Sequence, residues 1–131
     1  MSDRRWIPVF LPDDVPRPVG AYSPGTRAGD FLYVSGQVPR DLRTGALIGA
    51  TVEEQTQQVL SNLTAVLHAG GASRADVVSA VIYLENEQDW PVVNELWKAA
   101  FVSPYPSRTT VGARLRGILI EVSAIAYVPG R

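Results

Sequence analysis

The sequence has no cysteine, so disulfides, thiolate catalysis and Cys-ligated zinc or iron–sulfur centres are excluded. A single histidine, His68, leaves no material for a multi-histidine metal site or a His-based triad. Charge of one sign is also missing. The 12 Lys and Arg residues are scattered among 13 Asp and Glu, for a net charge of −1. That balance argues against a nucleic-acid footprint, which shows as a basic face. Long apolar runs are absent too: the longest purely aliphatic stretch, Ile118-Leu119-Ile120, is far short of the roughly 20 residues a membrane-spanning helix needs. No charged-then-apolar leader precedes a small-residue cleavage site, so the mature chain is expected to begin as written, with the cytosol as default compartment. There is no Gly-rich dinucleotide fingerprint, P-loop or nucleophile elbow.

What remains is an ordinary globular composition, 46% hydrophobic and 19% charged over 131 residues. That length suits one domain with one core. Residues 1–15 are expected to form an N-terminal extended segment, within a proline-rich stretch read as an edge strand and loop up to residue 19. Phe31-Leu32-Tyr33-Val34-Ser35 reads as a strand entered through Gly29-Asp30 and left through Gly36. Thr51-Val52-Glu53-Glu54 is a capping box, and Val52, Val59, Leu60, Leu63, Val66 and Leu67 follow at helical spacing until Gly70-Gly71. A strand is expected over 76–84. A second helix begins near Asp89, with Pro91 in its first turn and Val93, Leu96, Trp97, Ala100 and Phe101 as its stripe. Asn94 falls at the border of that stripe. Two more strands, about 107–114 and 118–128, are expected as a hairpin around Arg116-Gly117. The order implies an α+β fold, a mixed or antiparallel sheet covered on one face by two helices. Strands 77–84 and 118–128 are apolar on both sides, so the uncovered face is expected to be buried by oligomerisation.

Two charges interrupt those last strands: Arg108 in Pro106-Ser107-Arg108-Thr109-Thr110-Val111, and Glu121 in Ile118-Leu119-Ile120-Glu121-Val122-Ser123. Charges among β-formers are costly to bury unless something pairs with them. Glu121 is read either as a functional carboxylate or as a group held by backbone amides, Arg114 or Arg116. Arg108 is read either as a carboxylate-gripping fork or as a snorkelling edge residue. The hairpin register decides whether they meet. A two-residue loop sets Gly112 opposite Glu121 and puts both charges on one face; a three-residue loop puts them on opposite faces. Tyr22 in Gly20-Ala21-Tyr22-Ser23-Pro24 reads as a packed loop aromatic, Ser35-Gly36-Gln37 as a turn corner able to offer N–H groups, and His68 as a surface residue favoured by the helix dipole.

These stretches, in this order, resemble the RidA/YjgF family of small imine/enamine deaminases. The resemblance is carried by Gly20–Pro24, Tyr33-Val34-Ser35-Gly36-Gln37-Val38-Pro39, Thr44-Gly45, Glu54-Gln55-Thr56, Val93-Asn94-Glu95, Pro106–Val111 and Ile120-Glu121-Val122-Ser123-Ala124-Ile125-Ala126, over about residues 16–128. It implies a chorismate-mutase-like fold, and a homotrimer whose sheets surround a central barrel, with three inter-subunit clefts. It also implies a hydrolytic deaminase converting 2-enamino or 2-imino acids to 2-oxo acids and ammonia, needing neither cofactor nor metal. By the same resemblance Arg108 binds the substrate carboxylate and Glu121 positions or activates water. Tyr22, Ser35, Gly36, Asn94 and Thr110 line the cleft. The chain departs from the pattern at Ala21 and Pro24, and at Ser123, where typical deaminases carry a second acidic residue. Thr110 stands where some members have cysteine, and the segment between Arg108 and Glu121 is two residues shorter than in some. A non-catalytic metabolite-binding or protein-protecting trimer is the alternative. An endoribonuclease comes third, since no basic face or paired histidines are present.

Overall fold

A computed structural model describes residues 5–130. One six-stranded sheet carries two helices on one face, the α+β arrangement expected from the order of elements. The strands are β1 (Trp6–Val9), β2 (Gly25–Ala28), β3 (Phe31–Gln37), β4 (Val77–Leu84), β5 (Ser107–Gly112) and β6 (Ile120–Tyr127). They lie in the order β1-β2-β3-β6-β4-β5, antiparallel except for β4 and β5. The first four residues of the expected N-terminal segment lie outside the described residues.

Helix α1 (Val52–Ala69) starts at the capping box foreseen in the sequence: the Glu54 amide donates to Thr51 Oγ1, and Glu54 Oε1 accepts from the Thr51 amide. Its stripe of Val59, Leu60, Leu63, Val66 and Leu67 is buried against the sheet. It ends at Gly70-Gly71, where Gly71 takes φ +81°, a conformation side chains rarely adopt. Helix α2 (Trp90–Ala100) buries Val93 and Trp97, with Phe101 just beyond its end. His68 is exposed in the last turn of α1, as expected.

The expected hairpin is not formed. β5 and β6 are separated by β4, which pairs with β5 on one side and β6 on the other. The cause is α2: a helix between β4 and β5 makes their connection a crossover, and crossovers join parallel strands. The chain must then pass around the end of β4 to reach its other side. Segment 113–119 makes that passage, pinned by Ala113 N to Leu84 O, Leu115 N to Glu85 Oε1, and Glu85 N to Leu119 O. Arg116 and Gly117 do turn, with φ of 59° and 93°, but within this wrap. Neither of the two anticipated registers exists.

The face away from the helices is uncovered in the single chain. Phe31, Tyr33, Val78 and Tyr127 are all exposed on or beside it, with Val81, Tyr83 and Ile125 half-buried. This is the second apolar face that the sequence pattern of β4 and β6 calls for.

Candidate active site

Strand register assigns each candidate residue to a face, because directly opposed residues share one. Arg108 is opposite Ala80, itself opposite Ala124, and both alanines are buried under the helices. Thr110, two residues on, is opposite Ile82 on the same face. Glu121 is opposite Tyr83, in the alternate set that points away from the helices. Arg108 and Glu121 therefore project from opposite faces of one sheet, with β4 between their strands.

On the helix face, the Arg108 guanidinium lies over two α2 indoles, 5.4 Å from the Trp90 ring centre and 5.7 Å from that of Trp97. Asn94 lies one turn from each of them on the same side of α2 and is half-buried. Arg108 makes no ion pair among the described residues, and burial lowers its pKa from the ordinary value. Thr110 Oγ1 is buried and has no hydrogen-bond partner among the described residues. A partly desolvated cation and an unsatisfied hydroxyl, two residues apart on an edge strand, make a place where an anion is favoured.

On the other face, Glu121 folds over Gly36. A Cβ at Gly36 would overlap Glu121 Oε2 and lie 3.0 Å from its Cδ. The close approach comes from a β-bulge. Between the pairs Val34–Ala124 and Gln37–Val122, β3 advances three residues against two on β6. Burial raises the Glu121 pKa above the ordinary carboxylate value, and among the described residues neither backbone amides nor Arg114 or Arg116 take its charge. Ser35 adjoins the bulge, but its hydroxyl proton goes to Ser23 O at 2.6 Å, which leaves it only as an acceptor. The Ser35 amide donates to Pro24 O, tying the Tyr22 loop to β3.

Tyr22, 60% exposed, shares with Gly36 the lining of a cavity of about 430 Å³ between the proline-rich segment and the loop after β3. Buried amides that the sequence did not single out hold these loops. Asn62 Nδ2 donates to Val38 O and Arg40 O, while Gln55 accepts from Leu119 N and donates to Gly49 O. The candidate residues thus fall into two groups: Arg108, Thr110 and Asn94 on one face, and Glu121, Gly36, Ser35 and Tyr22 on or near the other.

Comparison with known proteins agrees with the fold. A family model described as Endoribonuclease L-PSP matches residues 13–128. A RutC family protein of Pyrococcus horikoshii is 39% identical over 121 residues, 91% of this chain and 96% of that protein. A protein of Dermatophagoides farinae named 2-iminobutanoate/2-iminopropanoate deaminase is 35% identical over 130 residues, 98% and 99% of the two chains. The crystal structure of a putative endoribonuclease from Thermotoga maritima superposes with a TM-score of 0.85 at 37% identity, covering 95% of this chain and all of the other. With nearly its whole length matched, the chain belongs to the endoribonuclease L-PSP family, the family of the RidA/YjgF proteins.

Proposed function

We propose that this protein is a cofactor-independent deaminase that hydrolyses 2-imino acids, and 2-enamino acids after tautomerisation, to 2-oxo acids and ammonia. One observation carries the reading. Arg108 and Glu121 are each partly buried, each without a polar partner among the described residues, and on opposite faces of the same sheet. A carboxylate clamp and a water site that cannot meet within one chain are complementary halves of a site between chains. The apolar face around Tyr33 and Tyr127 supplies the reason for chains to associate. A homotrimer with its sheets around a central barrel covers that face and repeats the cleft at each interface.

In the proposed mechanism the Arg108 fork grips the substrate carboxylate, with the Thr110 hydroxyl and Asn94 amide beside it. The C=N carbon is then held near a water on Glu121 of the adjoining subunit. Water adds to that carbon as Glu121 accepts its proton, and the nitrogen is protonated to give a carbinolamine. Collapse of the carbinolamine breaks the C–N bond, releases ammonia and leaves the 2-oxo acid. The iminium carbon is already electrophilic, so positioning and general acid–base help, the latter worth about 10²–10⁴, suffice. A carboxyl whose pKa burial has raised is better matched to that proton traffic near neutral pH than an exposed one.

The test generates imino acids in situ with an amino-acid oxidase and follows their loss in competition with a trapping reagent. Acceleration over buffer for at least one side chain is expected. No acceleration across several side chains would sink the deaminase reading, and binding of 2-oxo acids without turnover would instead mark a metabolite-binding protein. RNA cleavage that survives Arg108→Ala and repeated purification would favour a nuclease.

A further inference from the structure

Nothing polar in the described chain holds the Arg108 guanidinium, yet it is not loose. Trp97 forms an inner wall: it is 3% exposed and stacks on Phe101 at 4.2 Å. Trp90 forms an outer wall at the first residue of α2, where Pro91 and the short turn of residues 87–89 fix the backbone, and its indole is 44% exposed. The cation lies within reach of both ring faces. A carboxylate partner would fix it equally well but would occupy the N–H groups. An aromatic face attracts the cation and uses none of them.

Deepening the proposal that Arg108 binds the substrate carboxylate, we propose that Trp90 and Trp97 are positioning residues for that clamp. They hold the guanidinium in place with its donors uncommitted. A long side chain with several free torsions would otherwise lose that freedom on binding, at the expense of affinity. The indoles settle part of that loss in advance. Trp90 is the informative residue of the two, because Trp97 is also part of the core and its replacement would disturb packing.

The variants are Trp90→Phe, which keeps a π face, and Trp90→Leu, which keeps apolar bulk without one. Each is made in wild-type and Arg108→Ala backgrounds, with fold and assembly size checked by circular dichroism and light scattering. Calorimetric titration with 2-oxobutanoate reads the clamp without catalysis. Trp90→Leu is expected to weaken binding about three- to tenfold, the scale of a cation–π contact converted to affinity. Trp90→Phe should restore most of it, and the difference should vanish when Arg108 is alanine. In turnover the loss should fall on KM more than on kcat. The Arg108 Nε–H resonance, shifted by two ring currents in the wild type, should move toward its random-coil position in Trp90→Leu and remain displaced in Trp90→Phe.

Wild-type affinity in Trp90→Leu, or a weakening that persists without Arg108, overturns the inference, as does a wild type that binds no 2-oxo acid. A wild type that binds 2-oxobutanoate through Arg108, shows the Trp90 dependence and hydrolyses no imine defeats the deaminase reading while this inference stands.

Discussion

Arg108 and Glu121 are thirteen positions apart in sequence and project from opposite faces of a single sheet. Arg108 is opposite Ala80 on one flank of β4, and Glu121 is opposite Tyr83 on the other. With β4 between their strands, the two side chains do not face each other within one chain. Under the proposed reading, chemistry that uses them together takes Arg108 from one subunit and Glu121 from another.

The guanidinium should govern binding. Arg108→Ala is expected to lower kcat/KM about 10- to 100-fold, the range for losing hydrogen bonds to a charged group. Arg108→Lys should recover little, since an ammonium cannot offer the same fork. Steady-state kinetics on in situ imino acids, with assembly size checked by light scattering, measures this. Unchanged kinetics in Arg108→Ala would show that the carboxylate is bound elsewhere.

Glu121→Gln keeps the shape of the side chain and removes its titration. A fall in kcat of about 10²–10⁴ is expected, the usual worth of a general acid–base group. Because burial raises the Glu121 pKa, the acid limb of kcat/KM should lie at higher pH than for an exposed glutamate and should disappear in the variant. The stability effect has the opposite sense. The folded carboxyl holds its proton more tightly than the unfolded one, so its favourable contribution is complete below the unfolded pKa and is lost as pH rises through the folded value. Glu121→Gln should therefore melt above the wild type at pH 7, with the gap closing toward pH 4. Thermal melts across that range decide it, and a variant that melts lower at pH 7 would contradict the burial argument.

Gly36 is the seat of the Glu121 carboxylate. Gly36→Ala puts a methyl where Oε2 lies, and because the obstructing atoms are the end of a flexible side chain, the carboxylate should move and the fold survive. A displacement near 1 Å is expected to cost about 10²-fold in kcat, with an unchanged circular dichroism spectrum. Full activity in Gly36→Ala would mean that the observed Glu121 position is not the reactive one.

The apolar face gives a test of assembly. Tyr33→Lys places a charge in the patch that also holds Phe31 and Tyr127. Sedimentation should show the oligomer dissociating, and activity should fall with it. Full imine hydrolysis by a folded monomer would contradict a site shared between subunits.

Much of this was legible in the sequence, and the rest fails for physical reasons. Thr51 and Glu54 marked the start of α1, and Pro91 the start of α2, because caps are local chemistry. The uncovered face followed from strands apolar on both sides. β2 was missed because Gly25-Thr26-Arg27-Ala28 has no apolar alternation; it is a strand through its neighbours β1 and β3. The hairpin was misread because Arg116-Gly117 is a true turn signal, whereas strand order is set by the α2 crossover, which is not local. Gly36 was read as the end of a strand, yet a glycine inside a strand pattern is also a signal for a bulge and close approach. Trp97 was assigned to the core alone, and Trp90 carried no signal at all, because its relation to Arg108 exists only once β5 lies beside β4.

The most direct test of the proposed shared site mixes two impaired proteins. Arg108→Ala and Glu121→Gln subunits are unfolded together in equal amounts and refolded, and imine hydrolysis is compared with each variant refolded alone. If each cleft takes Arg108 from one subunit and Glu121 from the next, random assembly makes about one cleft in four intact, and activity should return to roughly a quarter of wild type. Activity no greater than that of the separate variants would show that the two residues act within one chain, and would contradict the account.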